Sequence, residues 1–130
     1  MKVLALDYGA ARTGVAVSDA TGLLARPVTV VERAASPTGL TRLRDLVEEH
    51  EAELVVVGLP LTLRGEHGRQ AGETEAFVTS LRAALDVPVE TWDERFTTAL
   101  ANQGGSGSVP EDARAAAHLL QSYLSWATRT

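Results

Sequence analysis

Acidic residues at three places in this sequence could act together in one chemical site. Asp7 ends an apolar stretch, Asp93 and Glu94 follow another, and Asp112 stands near the start of a helical pattern. Carboxylate oxygens are the ligands that Mg²⁺ prefers, and two such ions held by converging carboxylates can activate a water and stabilise the leaving oxygen of a phosphodiester. The chain has no Cys, and its His residues are scattered. The pattern therefore indicates a hydrolytic site built from carboxylates and Mg²⁺ or Mn²⁺.

Each of these acids also has a purely structural interpretation. Asp7 could accept hydrogen bonds from the amides of the turn that follows it, and Asp93 and Glu94 could be surface acids paired with Arg95. An acid such as Asp112 in a first helical turn is favoured by the helix dipole alone. The residue types by themselves leave both interpretations open.

Arginine supplies almost all of the positive charge. Of the 12 basic residues only Lys2 is not an arginine, and 17 acidic residues leave a formal net charge of -5. Because this charge gives no long-range attraction to a polyanion, nucleic acid would have to be bound by local contacts. Arg suits bidentate contacts with phosphate. The candidates lie in or beside predicted turns: Arg12, Arg64, Arg69 and Arg95.

The elements that must position these residues alternate between strand and helix patterns. In chain order they are strands near residues 3–6, 15–17, 27–31, 53–57 and 88–92, and helices near residues 38–50, 69–85, 98–103 and 108–124. Ser36 or Thr38 could cap the first helix, and Ser108 and Glu111 have capping-box spacing at the last. The order predicts a mixed α/β sheet. Asp19 also ends a strand, but it has no partner acids, and we expect it to have a structural role.

Length and composition predict one domain, residues 1–130, since 130 residues that are 45% hydrophobic can bury a substantial core. A signal peptide is not expected, because Asp7 and Arg12 interrupt the first apolar segment. No apolar run approaches the roughly 20 residues that span a bilayer. The absence of Cys fits a reducing compartment. We therefore expect a cytoplasmic protein that does not contact membranes.

Four segments, in this order and spacing, resemble the YqgF/RuvX family of RNase H-like nucleases: DYGAARTGVAVSD, VVVGLPLTLRG, TWDERFTT and EDARAAAHLLQSYL. The resemblance runs from about Val3 to Leu124. It implies an RNase H-like fold, with a five-stranded mixed sheet in the order 3-2-1-4-5 and helices on both faces. Strands one to three would be antiparallel, and strands four and five parallel to strand one. Family members are described as pre-16S rRNA nucleases and, in older usage, as Holliday junction resolvases.

The resemblance also implies roles for individual residues. The active-site acids fall on Asp7, Glu94 and Asp112, with Asp7 bridging two metal ions and the other two acids each completing one coordination sphere. Gly9 and Gly14 would allow close approach of the backbone in the first turn.

Arg12 would lie beside the scissile phosphate. The chain departs from the family pattern at two places that bear on this contact. Ala11 stands where family members often have a basic residue, and no basic residue occurs between positions 95 and 114. Both departures remove contacts to the phosphate backbone, so we expect weaker binding of substrate.

The leading hypothesis is a metal-dependent nuclease that processes the 5′ end of pre-16S rRNA, acting as a monomer or weak homodimer, with ribosomal precursor particles as potential partners. A Holliday junction resolvase or DNA-repair nuclease is the alternative. A junction needs two sites in a dimer and a broad basic face, and the acidic net charge therefore ranks this alternative second. Two hypotheses belong to other classes. DYGAARTG also resembles the first phosphate loop of actin-like ATPases, which suggests a single-domain nucleotide binder, and a non-catalytic RNA-binding ribosome-assembly factor would share the fold.

Overall fold

The computed structural model describes residues 1–61, 68–97 and 109–128. The elements, in chain order, are β1 (Val3–Asp7), β2 (Arg12–Ser18), β3 (Ala25–Glu32), α1 (Pro37–Glu49), β4 (Leu54–Leu59), α2 (Arg69–Ala84), β5 (Val89–Asp93), a 3₁₀ turn (Glu94–Phe96) and α3 (Glu111–Ala127). The helix predicted near residues 98–103 lies outside the described residues. No helix in the described ranges is long and apolar enough to cross a membrane.

The strands form one sheet in the order β3-β2-β1-β4-β5. β1 pairs antiparallel with β2, and β2 pairs antiparallel with β3. β4 is parallel to both β1 and β5. This topology confirms the implied order. Because β1, β4 and β5 run in the same direction, their carboxyl ends lie at one edge of the sheet, where α/β proteins commonly place their ligands.

Alternation along β1 divides the core between the two faces of the sheet. Leu4 and Leu6 pack with the buried side chains of α1 and α2, whereas Val3 and Ala5 pack with those of α3. β4 is buried along its whole length, which explains its continuous apolar run. Helices therefore cover both faces, with α1 and α2 on one side and α3 on the other.

The helix starts agree with the sequence at α1 and differ from it at α3. Ser36 caps α1, its side-chain oxygen accepting a hydrogen bond of 3.0 Å from the backbone N–H of Gly39. The capping box predicted for the last helix is wrong, because the N-cap residue is Pro110 and Glu111 is the first helical residue. Proline has a backbone angle suited to a helix start, and the acids in the first turn offset the helix dipole.

β4 is longer than predicted. The predicted strand near residues 53–57 stops before Gly58, but β4 continues to Leu59. Gly58 therefore lies inside the sheet, paired with Trp92 of β5. Its position is important for the site described below.

Candidate active site

Asp7 and Glu94 lie at the carboxyl ends of β1 and β5, on the face of the sheet that α3 covers. Asp7 is the last residue of β1, and alternation places it on the same side as Val3 and Ala5. Glu94 directly follows β5 and opens the 3₁₀ turn, two residues after Trp92, which packs on the same side. β4 lies between the two strands.

Gly58 makes room for the Glu94 side chain to cross β4. Strands β1 and β5 are about 9–10 Å apart, because each strand spacing is about 4.7–4.9 Å. A Cβ atom added at Gly58 would lie 3.0 Å from both Cγ and Cδ of Glu94, and it would overlap a methyl group of Leu119. The Glu94 side chain therefore lies over Gly58, which is the direction of Asp7. A glycine inside a buried β-branched run is a signal of such close approach. The predicted strand near residues 53–57 leaves Gly58 outside the sheet, so this signal does not appear in the prediction.

The acids influence one another electrostatically. Burial, followed by the charges of Asp7 and Asp93, raises the pKa of Glu94 from its ordinary value of 4.5 to about 7. Burial and the charge of Asp112 raise the pKa of Asp7. Burial and the negative charge of neighbouring acids both disfavour the ionised form of a carboxyl group, as expected where like charges lie close together in a partly buried site. A cation bound here would relieve this repulsion.

Asp112 reaches the site from α3 and is paired with Arg12. The Nε atom of Arg12 is 3.2 Å from Oδ2 of Asp112, and the arginine side chain is 65% exposed. A Cβ atom at Gly14 would overlap the backbone carbonyl of Asp112. Gly14 thus allows the first turn of α3 to lie directly on the sheet beside Asp7, its partner in the β1–β2 ladder.

The two glycines implied for the first turn have different positions. Gly14 belongs to β2 and lies outside the turn, which corrects the expectation, and its small size serves the packing of α3. Gly9 does lie in the turn, where a Cβ atom would come 2.5 Å from the carbonyl oxygen of Arg12. The turn also has hydrogen bonds of 3.4 Å between the Gly9 backbone and the Thr13 hydroxyl.

The other predicted arginines do not share one location in the fold. Arg95 donates from its side chain to both oxygens of Asp93, its Nη2 atom lying 2.6 Å from Oδ2, which matches the surface pairing considered for these residues. Arg69 begins α2, on the face of the sheet opposite α3, and lies 3.7 Å from Glu73. Arg64 lies outside the described residues. Among the described arginines, Arg12 is paired with Asp112 and Arg95 with Asp93.

Asp19 is held within its own turn. It accepts a hydrogen bond of 2.7 Å from the Thr21 hydroxyl and longer ones from the backbone N–H groups of Leu23 and Leu24. These bonds, chiefly the one from Thr21, lower the pKa of Asp19. The geometry agrees with the structural role expected for this residue.

The donor set suits a hard divalent cation, although its geometry is not that of a closed ligand cage. Carboxylate oxygens are ligands for Mg²⁺ and Mn²⁺. Among the described residues, no group of three or more His, Cys, Asp or Glu side chains is close enough to hold one metal ion. The pKa values of Asp7 and Glu94 are both raised by burial and by neighbouring negative charge, whereas Asp112 forms an ion pair with Arg12. The charge of Asp7 acts on Glu94, and that of Asp112 acts on Asp7, so the three acids lie in one region that could attract a cation.

A model of the family described as RuvX, Holliday junction resolvase, matches residues 1–126 of this chain. The chain belongs to the RuvX family. This membership confirms the resemblance seen in the four sequence segments.

Curated relatives of the RuvX chain come from several bacteria. A protein of Chloroflexus aggregans, provisionally named a pre-16S rRNA nuclease, is 45% identical over 101 residues, which are 78% of this chain and 71% of the relative. A protein of Rhodococcus jostii with the same provisional name is 42% identical over an alignment of 140 residues, covering 98% of this chain and 79% of the relative.

Solved structures show the same fold. RuvC of Thermus thermophilus, in complex with a Holliday junction substrate, superposes with a TM-score of 0.66 at 17% identity, covering 98% of this chain and 94% of that one. A second structure of Thermus RuvC gives a TM-score of 0.62 at 20% identity, with coverage of 98% and 95%. At these identities the likeness concerns the fold, and it confirms the RNase H-like architecture.

Proposed function

We propose that this RuvX protein is a metal-dependent nuclease that hydrolyses phosphodiester bonds, and that its substrate is the 5′ region of precursor 16S rRNA. The observation that carries the chemistry is the Glu94 side chain lying over Gly58, which brings its carboxylate toward Asp7. The provisional names of relatives at 45% and 42% identity support the choice of substrate. We expect a protein with this function to act in the cytoplasm, together with the precursor RNA.

In this proposal Asp7, Glu94 and Asp112 hold Mg²⁺ or Mn²⁺. When bound, two such ions would polarise the phosphodiester and make a water a stronger nucleophile. The pKa of Glu94, raised to about 7, means that this carboxyl is partly protonated near neutral pH in the metal-free protein, so metal binding would displace a proton from it.

Arg12 would position the substrate. Its exposed guanidinium contacts Asp112 at the mouth of the site, so a phosphate oxygen that replaced this carboxylate would find a charge-assisted donor already in place. The helix dipole of α3 also points its positive end at this region, which favours negative charge there. Substrate and acid would then compete for the same donor.

The test is a panel of end-labelled substrates of similar length: a fragment spanning the 5′ end of precursor 16S rRNA, single-stranded DNA and a four-way DNA junction. Each is incubated with the wild-type protein and Mg²⁺ or Mn²⁺, with EDTA as the control. We expect metal-dependent cleavage of the precursor RNA. Cleavage of the junction alone would replace the substrate with the one in the family description. No cleavage of any substrate with either metal would reject the proposal.

A further inference from the structure

A groove of about 790 Å³ opens between β5 and the C-terminal half of α3. Its walls carry four aromatic side chains: Trp92, Phe96, Tyr123 and Trp126. The groove lies on the face that α3 covers, which is also the face of the candidate active site.

The four rings form a platform with a fixed base and an exposed surface. Trp92 and Tyr123 are buried, whereas Phe96 is 64% and Trp126 54% exposed. The ring centroid of Trp92 is 6.1 Å from that of Phe96 and 5.7 Å from that of Trp126. The indole N–H of Trp92 donates a hydrogen bond of 3.1 Å to the Thr97 hydroxyl, which fixes the central ring. Two large aromatic surfaces therefore face solvent in a supported orientation, as is typical of a binding site.

The groove is next to the candidate active site in the chain. Asp93 and Phe96 both line it, Asp93 directly before Glu94 and Phe96 two residues after it. A nucleic-acid strand with a phosphate at Glu94 would therefore have its neighbouring nucleotides at the mouth of the groove.

The charges around the groove are compatible with a nucleic-acid strand. Asp93 is paired with Arg95, and Glu90 accepts a hydrogen bond of 3.3 Å from the Tyr123 hydroxyl. The guanidinium of Arg95 also lies 5.8 Å from the centre of the Phe96 ring. A base stacked on the Phe96 ring would thus lie next to the Arg95 cation. The two carboxylates that line the groove, Asp93 and Glu90, each accept a hydrogen bond from a protein side chain.

We infer that this groove binds unpaired nucleotides of the substrate, with bases stacked on Phe96 and Trp126. The inference rests on the proposed function and adds a substrate class to it: the substrate is single-stranded where it contacts the enzyme. Bases inside a duplex are stacked on each other and present only their edges, so they cannot cover these rings. Stacking on an aromatic side chain is a general means of binding single strands without sequence preference.

The protein contains two tryptophans, and both line the groove, so its intrinsic fluorescence reports directly on this surface. The full chain carrying Asp7→Asn, in EDTA, is titrated with a short oligouridylate, with the same strand made abasic at its central positions, and with an RNA duplex. We expect quenching by the oligouridylate and much less by the other two. Phe96→Ala should weaken binding about tenfold or more. Phe96→Tyr should restore it, and Leu24→Ala, at an exposed leucine outside the groove lining, should leave it unchanged.

The outcomes separate this inference from the proposed function. Quenching by the single strand without cleavage by the wild type would keep the groove and reject the nuclease. Cleavage that persists in Phe96→Ala, together with equal binding of the abasic strand, would reject the groove and keep the nuclease. A concentration-dependent change of fluorescence without RNA, with a dimer in sedimentation, would show that a second copy occupies the groove and would overturn the inference.

Discussion

The raised pKa of Glu94 predicts that the metal-free protein loses stability as the pH rises from about 5 to about 8. The folded-state pKa of about 7 lies above the ordinary value of 4.5. Below the ordinary value the carboxyl is protonated in both states and has no effect. As the pH rises, the unfolded chain releases the proton first, so stability falls until the folded pKa is passed and is constant above it.

The magnitude follows from the same two values. A difference between 4.5 and about 7 corresponds to at most about 3.5 kcal/mol, since a pKa change of one is worth about 1.4 kcal/mol. Glu94 is only partly buried, and water screens part of the interaction, which reduces the expected effect to about 1–2 kcal/mol. Glu94→Gln removes the ionisation and should gain this amount relative to wild type between pH about 5 and about 8.

The assay is urea unfolding of wild type and Glu94→Gln in EDTA at several pH values, with the difference in unfolding free energy plotted against pH. Asp93→Asn is the control. The hydrogen bond from Arg95 lowers the pKa of Asp93, and the charge of Asp93 is the smallest of the three causes of the raised Glu94 pKa. The difference in unfolding free energy between Asp93→Asn and wild type should therefore rise much less between pH about 5 and about 8. Excess Mg²⁺ should restore stability to the wild type at high pH. A difference for Glu94→Gln that stays flat from pH about 5 to about 8 would refute the reasoning.

Three further substitutions probe the packing around the acids. Gly58→Ala should lower the unfolding free energy by about 1–3 kcal/mol in urea, because the added Cβ overlaps a methyl group of Leu119 and meets Glu94. Gly72→Ala, whose Cβ meets nothing within 4 Å, should be neutral or stabilise by about 0.5–1 kcal/mol, and equal effects of the two substitutions would contradict this account. Gly14→Ala should lower the unfolding free energy by about 3 kcal/mol or more, because the added Cβ overlaps the backbone of α3. A thermal unfolding curve identical to that of wild type would contradict that packing. Arg12→Ala should change stability by less than about 1 kcal/mol, because its ion pair is exposed, yet lower kcat/KM about tenfold or more; unchanged kinetics would remove Arg12 from the site.

The sequence was sufficient for features that depend on local patterns. The continuous apolar run of β4 predicted a strand covered on both faces, and Ser36 was one of the two residues predicted to cap α1. The acids at the ends of two apolar runs predicted a carboxylate site, and the carboxyl ends of β1 and β5 do lie at the same edge of the sheet. The strand order itself came from the family resemblance, since residue patterns do not specify which strands pair.

Features that depend on contacts between distant segments were not readable from the residues. Arg12 and Asp112 form an ion pair across almost the whole chain, and Gly14 serves a helix that begins nearly a hundred residues later. Gly58 looked like a strand end because nothing in its neighbourhood shows that the Glu94 side chain lies above it.

The most direct measurement is the rate at which the 5′-end fragment of precursor 16S rRNA is cleaved in Mg²⁺ by wild type, Asp7→Asn and Asp19→Asn. Both substitutions neutralise an acid at a strand end, but Asp19 is bonded within its own turn while Asp7 lies beside Glu94 and Asp112. The account predicts that Asp7→Asn lowers the rate by more than about 100-fold and that Asp19→Asn cleaves at the wild-type rate. Removal of a group that only supports a metal ligand costs up to about 100-fold, and loss of a ligand itself should cost more. Wild-type cleavage by Asp7→Asn would contradict the account.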